Sequence, residues 1–219
     1  MATKAILADL AAAYEARTGV RVAIESVGGV DAAKRVAAGE AVDVVFLAAD
    51  AIDKLIASGQ VLAGSRVDLT RSGVAAAVPQ GAPVPDFSSE DAVRAAVLAA
   101  PTLGYSTGPS GVALARLFER WGIAEQIAPR IVTPPPGTPV ARLVAEGKIA
   151  LGFQQLSEMI SVPGITIVGA LPPAIQITTI FSSGVAAASA QPDAVRALLA
   201  AFAAADTAET KRRQGMDPA

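Results

Sequence analysis

The chain has 219 residues and a net charge of −2, and 52% of its residues are hydrophobic although only 4% are aromatic. Because it has neither cysteine nor histidine, disulfides, the usual zinc sites and serine–histidine triads are excluded, and we expect neither a metal nor a cofactor. The sequence has no strongly basic patch and no apolar run of the roughly 18 residues that cross a bilayer, so we expect neither a nucleic-acid partner nor membrane insertion.

Helices and strands are predicted to alternate in about the first 60 residues. Apolar residues recur at helical spacing in the opening segment, and Gly19 follows them as a helix C-cap residue does. Asp31 stands where it could cap a second helix. The predicted elements are a helix at 5–18, a strand at 21–27, a helix at 31–38, a strand at 42–48 and a helix at 50–58. This order is typical of an α/β fold with a parallel sheet.

Two proline-bearing linkers, at residues 81–85 and 171–173, divide the rest of the chain. Between them we predict helices at 88–100, 112–121 and 139–146, the last capped by Thr138, and strands at 102–105, 131–132, 149–153 and 165–168. Long strands at 67–78 and 176–189 flank the linkers, and helices at 192–205 and 207–214 end the chain. The sequence therefore predicts one lobe of residues 1–78 and 176–219, into which a second lobe, residues 79–175, is inserted.

The loop at residues 106–111 joins a short buried strand to an amphipathic helix. Its hydroxyl residues are Ser106, Thr107 and Ser110, and Gly108 and Gly111 would let a ligand approach the backbone closely. Since a helix N-terminus presents free N–H groups and partial positive charge, this loop is a candidate cradle for an anion. An ordinary helix cap made by serine or threonine is the alternative.

Further candidate residues lie at strand ends and in a double-glycine loop. Arg71 could clamp a ligand carboxylate, or it could pair with a carboxylate of the protein. Glu158 could be a general base or only a helix-end carboxylate, and Tyr105 could aim its hydroxyl at a ligand or pack in the core. The remaining candidates, each with a plain structural alternative, are Gly28, Gly29, Val30, Gln154 and Ser157.

Nearly the whole chain resembles the type II periplasmic solute-binding proteins, in the molybdate-binding-like branch that includes aconitate-isomerase-like proteins. The order and spacing of several short segments carry the resemblance: residues 14–19, 28–29, 34–40, 43–45, 51–55, 71–74, 105–106, 153–158 and 215–219. It implies a two-lobed α/β fold, in which two mixed sheets are flanked by helices and one lobe is inserted in the other. The family pattern has a strand and a serine-bearing loop before the first helix, and from the resemblance we expect Met1 to lie inside or just after that loop.

The resemblance also implies lobes that close on a small anion, with Gly28, Gly29 and Arg71 on one side and Ser106, Ser110, Gln154 and Ser157 on the other. Because a planar guanidinium suits a carboxylate, Arg71 favours an organic di- or tricarboxylate over molybdate. We predict a monomeric, periplasmic solute-binding protein for ABC-type uptake, with a membrane permease as its partner.

Two alternatives stay open. The first is an enzyme resembling aconitate isomerase, which would move a double bond in a tricarboxylate with Glu158 and Ser106 as catalytic residues. The second is a binder of molybdate or another oxyanion. The sequence favours a binding protein over an enzyme, and a cytoplasmic location is expected instead if Met1 is the true start.

Overall fold

The computed structural model describes residues 2–135 and 137–219. Met1, on which the prediction about the start of the chain depends, lies outside the described residues. The helices and strands, in chain order, are α1 (Lys4–Thr18), α2 (Gly29–Ala37), β1 (Val44–Ala48), α3 (Ala49–Ala57), β2 (Val67–Pro79), α4 (Glu90–Ala99), β3 (Leu103–Tyr105), α5 (Pro109–Arg120), α6 (Ala124–Ile127), α7 (Val140–Ala145), β4 (Leu151–Gln155), β5 (Ile165–Ala170), β6 (Thr178–Val185), α8 (Pro192–Ala203), α9 (Ala208–Arg213) and β7 (Asp217–Pro218).

The chain folds into two compact units, Met1–Ser72 with Thr179–Ala219, and Gly73–Thr178. It leaves the first unit within β2 and returns to it within β6. Extended backbone, rather than the proline linkers, therefore carries the chain between the units, and the two passes fall a few residues from the lobe boundaries expected from the sequence.

In the first unit, β6 lies between β1 and β2, and β7 pairs with β2. The ladder between β1 and β6 is antiparallel. Helix α1 buries an apolar stripe that includes Ile6 and Leu10, which belong to one cluster with Leu198 and Phe202 of α8. The helical period of these apolar residues is the reason that the sequence predicts α1 correctly.

In the second unit, the strand order is β3-β4-β2-β5. Strands β3 and β4 are parallel, whereas β2 runs antiparallel to both β4 and β5. Alternate residues of β2 enter different cores, with Val74 and Ala76 in the cluster of α4 and α5 and Ala75 and Ala77 in the cluster of α7. A strand covered on both faces reads as a continuous apolar run, and this run is visible in the sequence.

The strand predicted at residues 21–27 is wrong. These residues are all described, and their backbone is irregular and mostly exposed. A strand requires a neighbouring strand to take its backbone hydrogen bonds, and alternation of residue types cannot provide one. Side chains anchor the segment instead, because Glu15 accepts from the Val22 N–H and Arg35 pairs with Glu25 at 2.7 Å. The expected parallel sheet is also wrong for β1, which runs antiparallel to β6.

Two predicted helix starts are wrong as well. Helix α2 begins with Gly28 as its N-cap, so Asp31 lies inside the helix rather than capping it. Helix α7 has Pro139 as its N-cap, in place of the predicted Thr138. The predicted strand at 131–132 is reduced to a single bridge between Ile131 and Leu103. These ends depend on contacts with distant residues, which local spacing does not reveal.

Within the described parts of the chain, no helix is long and apolar enough to cross a bilayer. The same residues contain no group of three or more potential metal-ligating side chains of the His, Cys, Asp or Glu type.

Candidate functional site

The parallel pair β3 and β4 brings two polar loops to one edge of the second unit's sheet. Tyr105 is opposite Phe153 in the register. The loop that begins at Ser106 therefore leaves the sheet beside Gln154 and Gln155, the last residues of β4, and the turn that begins at Leu156 follows them at the same edge. The carboxyl ends of parallel strands are where ligands bind most often in α/β proteins.

The loop before α5 does not end in the ordinary cap that serine or threonine would form. The N-cap residue is Gly108, which has no side chain, and Pro109 occupies the first helical position. Ser106 and Ser110 instead hydrogen-bond each other through their hydroxyls at 3.2 Å, while Thr107 is exposed. The first-turn N–H groups of α5 therefore have no side-chain oxygen from their own N-cap residue, and such groups suit an anion.

Gly111 is required for this loop to close on the helix. A Cβ built at Gly111 would lie 1.5 Å from the backbone oxygen of Ser106, a separation that no side chain can occupy. At Gly108 the nearest atom to such a Cβ is the Ser106 hydroxyl, at 3.8 Å. Close packing therefore explains why residue 111 is a glycine, whereas position 108 has room for a side chain.

Gln154 has a structural partner that the sequence did not reveal. Its side-chain oxygen accepts a hydrogen bond of 3.0 Å from the N–H of Ala141, in the first turn of α7. The side chain is buried, as is that of Gln155. Gln154 thus takes over the capping role that the sequence assigned to Thr138, and its amide is at least partly occupied before any ligand binds.

Ser157 and Glu158 follow in a 3₁₀ turn, Leu156–Glu158. The Ser157 hydroxyl is buried and has no hydrogen-bond partner among residues 2–135 and 137–219. A buried hydroxyl without a partner is costly, and a bound ligand is one way to satisfy it. Burial raises the pKa of the Glu158 carboxyl, and a hydrogen bond with the Gln154 side chain opposes this shift without cancelling it.

Tyr105 belongs largely to the core. Its ring packs edge-on against Phe118, with 5.8 Å between the ring centroids. Burial, and to a lesser degree the charge of Glu119, raises the pKa of its phenol. Tyr105 therefore keeps its proton at neutral pH, as a hydrogen-bond donor must.

The candidates in the first unit are arranged differently. Gly29 and Val30 begin α2, and Val30 is 56% exposed. A carboxylate oxygen of Asp31 lies only 3.3 Å from where a Cβ of Gly28 would be, so this helix N-terminus already has a negative charge beside it and is a weaker anion cradle than that of α5. Arg71 is exposed on β2 and stands opposite Asp217 of β7 in the register.

This edge of the second unit's sheet therefore combines hydrogen-bond donors with an acid–base group. Hydroxyls of Ser106, Ser110 and Ser157 and the first turn of α5 are donors for an anion. Glu158, whose pKa is raised by burial, is a candidate acid–base group at the same edge. Such a set can bind a carboxylate and can also move a proton beside it.

Comparison with known proteins identifies a family and a curated relative. The sequence profile of a family described as bacterial extracellular solute-binding protein matches residues 1–217. A curated relative from Pseudomonas sp., aconitate isomerase, is 43% identical over 218 residues, and the match covers 96% of this chain and 82% of the relative.

Solved structures establish the fold. The periplasmic molybdate-binding protein of Azotobacter vinelandii superposes with a TM-score of 0.80 at 19% identity, over 98% of this chain and 94% of the other. The sulfate-binding protein of Mycobacterium tuberculosis gives 0.78 at 16% identity, over 98% and 83%. The predicted two-lobed α/β fold of type II periplasmic binding proteins is confirmed.

Proposed function

The chain belongs to the family of bacterial extracellular solute-binding proteins, and we propose that the ligand it binds is a small tricarboxylate. We further propose that it is an isomerase that moves the double bond of aconitate. The observation that carries the proposal is that Glu158 and the Ser157 hydroxyl, which has no partner among the described residues, follow β4 at the same sheet edge as the α5 N-terminus. The 43% identity to an aconitate isomerase supports the choice of substrate.

In this proposal, the donors of the second unit hold one carboxylate of the substrate. The hydroxyls of Ser106, Ser110 and Ser157 and the first-turn amides of α5 donate to its oxygens. Gly111 allows the Ser106 loop to lie against the helix, which keeps the donors close together. Thr107, Tyr105 and the first-unit candidates Gly28, Gly29, Val30 and Arg71 remain predicted ligand residues.

The chemical step is a proton shift along three carbons. Aconitate has a methylene carbon beside a carbon–carbon double bond, and both carry carboxylates. Glu158, in its ionised form, takes a proton from the methylene, and the electron pair of that C–H bond delocalises over the allylic system and its carboxylates. The donors stabilise the developing charge. Return of the proton to the former vinylic CH carbon places the double bond on the other side, where it can take either geometry.

A binding protein for carboxylate uptake is the second candidate. The family itself favours it, since its members are typically periplasmic ligand-binding proteins, and a membrane permease would then be the partner. Both candidates need the same carboxylate site, so the presence or absence of turnover decides between them.

The test uses purified protein with cis- and trans-aconitate, followed by proton NMR in deuterated water. We expect interconversion of the two isomers and loss of the methylene proton signal as deuterium enters. A thermal shift of about 5–10 °C at one hundred times the Kd would report binding in parallel. Stabilisation by aconitate without turnover would reject the isomerase and favour the uptake protein. Stabilisation by molybdate or sulfate alone would reject carboxylate binding altogether.

Ser157→Ala and Gln154→Leu should separate ligand binding from structural support. The alanine variant loses a hydroxyl that has no protein partner among the described residues, so we expect unchanged or slightly higher stability but about a tenfold weaker affinity for aconitate. The leucine variant leaves the Ala141 N–H without its acceptor, so its free energy of unfolding should fall by about 1–3 kcal/mol. Urea unfolding and calorimetric titration measure the two effects. Equal loss of stability in both variants would show that Ser157 has a structural role.

A further inference from the structure

A groove of about 320 Å³ opens in the second unit between α5 and the segment that precedes β6. Its apolar floor includes Leu117 and Ile175, which are buried, and Ala113 and Ile177, which are half-buried. This volume is at the lower end of the range for small-molecule sites. None of these residues belongs to the proposed aconitate site.

Two arginines, Arg116 and Arg120, line the groove one helical turn apart on α5. Arg120 shares the carboxylate of Glu90, at 3.2 Å, with the indole N–H of Trp121, at 2.6 Å. Arg116 is exposed and makes no ion pair or hydrogen bond with any residue in the described part of the chain. The rim of the groove therefore has an excess of positive charge.

The remaining polar group in the groove is already bonded to the backbone. The Gln176 side-chain oxygen accepts from the N–H groups of Val74, at 3.0 Å, and Ile177, at 2.8 Å. Its nitrogen donates to the Leu171 carbonyl at 3.3 Å. Gly73 leaves the space that this arrangement needs, since a Cβ there would lie 2.9 Å from that nitrogen. Gln176 therefore forms part of the groove wall, and Arg116 and Arg120 are the side chains that could bind a charged group.

We propose that this groove, formed by α5 and residues 174–177, is a second binding site for a small amphipathic organic anion. The apolar body of the ligand lies on Leu117, Ile175 and Ile177, and its acidic group pairs with Arg116, whose planar guanidinium suits a carboxylate or sulfonate. Apolar contact and the charge pair at the rim both contribute to the affinity, and the charge pair selects anions over neutral molecules. The site does not depend on the proposed isomerase activity.

The probe is 8-anilinonaphthalene-1-sulfonate, whose fluorescence rises when its rings leave water. We expect saturable binding of one molecule per chain, about three- to tenfold weaker in Arg116→Ala and weaker still in Arg116→Glu. Arg212→Ala, on the exposed surface of α9 in the first unit, is the matched control and should bind as the wild type does. Ala113→Trp should block the groove without removing a charge.

A neutral probe with the same rings, N-phenyl-1-naphthylamine, tests the role of the charge and should bind about tenfold more weakly than the sulfonate. Backbone NMR shifts on adding the sulfonate should concentrate at residues 113–120 and 174–177. Thermal unfolding of each variant shows that the fold is intact. Equal binding of both probes, insensitivity to Arg116→Glu, or the absence of saturable binding would each overturn the proposal, whatever the outcome with aconitate.

Discussion

Gly111→Ala is expected to lower the free energy of unfolding by about 3 kcal/mol or more, and to weaken aconitate binding at least tenfold. The new Cβ would lie 1.5 Å from the backbone oxygen of Ser106. Because that atom belongs to the main chain, no rotation of a side chain can relieve the overlap. The loop at 106–111 must move away from α5, and the Ser106–Ser110 hydrogen bond would be lost with it.

Gly108→Ala is the matched control, one position before the start of the same helix. A Cβ there meets nothing closer than 3.8 Å, and the backbone φ of −80° is open to any residue. We expect a change of about 1 kcal/mol or less, the usual difference between glycine and alanine at an N-cap. Urea unfolding and aconitate titration of both variants provide the test. A Gly111→Ala protein as stable as the Gly108→Ala protein would contradict the close packing of this loop.

Glu158→Gln is expected to reduce the turnover number for aconitate by about 10²- to 10⁴-fold while changing the Kd only a few-fold. Glutamine keeps the size and hydrogen-bonding capacity of the side chain but cannot take a proton. Since burial raises the pKa of Glu158, the wild-type rate should rise with pH through that elevated pKa, above the usual range of about 4 for glutamate. Full activity of the glutamine variant would exclude Glu158 as the proton-transfer group.

The same substitution should change stability in a pH-dependent way. A carboxyl whose folded-state pKa is raised favours the folded state least when it is ionised, so its contribution is lost as the pH rises through that pKa. Glu158→Gln should therefore match the wild type in acid and become more stable than it near neutral pH.

Glu146→Gln is the control for this pH dependence, because the pKa of Glu146 is lowered whereas that of Glu158 is raised. A hydrogen bond from Lys148, and then one from Arg142, lowers the pKa of this exposed carboxyl. Its stabilising contribution is present above the ordinary glutamate pKa and is lost as the pH falls. The glutamine variant should thus be slightly less stable than the wild type at neutral pH, with unchanged turnover. Melting temperatures from about pH 3, below the ordinary glutamate pKa, to about pH 8 separate the two behaviours.

Much of the candidate site was predictable from local sequence. The loop at 106–111 was identified because hydroxyl residues and glycines follow a short strand and precede an amphipathic helix, and the structure places that loop at the start of α5. Ser157 and Glu158 were chosen only for their place after a strand. Nothing in the sequence indicates that the Ser157 hydroxyl lacks a partner within residues 2–135 and 137–219, or that burial raises the pKa of Glu158, since both follow from packing around the turn.

By itself, the sequence determines the longer helices, though not all of their ends, the apolar strand of the second unit and the need for glycine at several turns, because these depend on periodicity and on backbone geometry within a few residues. Only the tertiary structure decides where a backbone group finds its partner. Residues 21–27 alternate as a strand does, yet they are irregular. Gln154 caps a helix whose first turn lies 13 residues away. Hydrogen bonds and burial join residues distant in sequence, so they are settled only when the chain has folded.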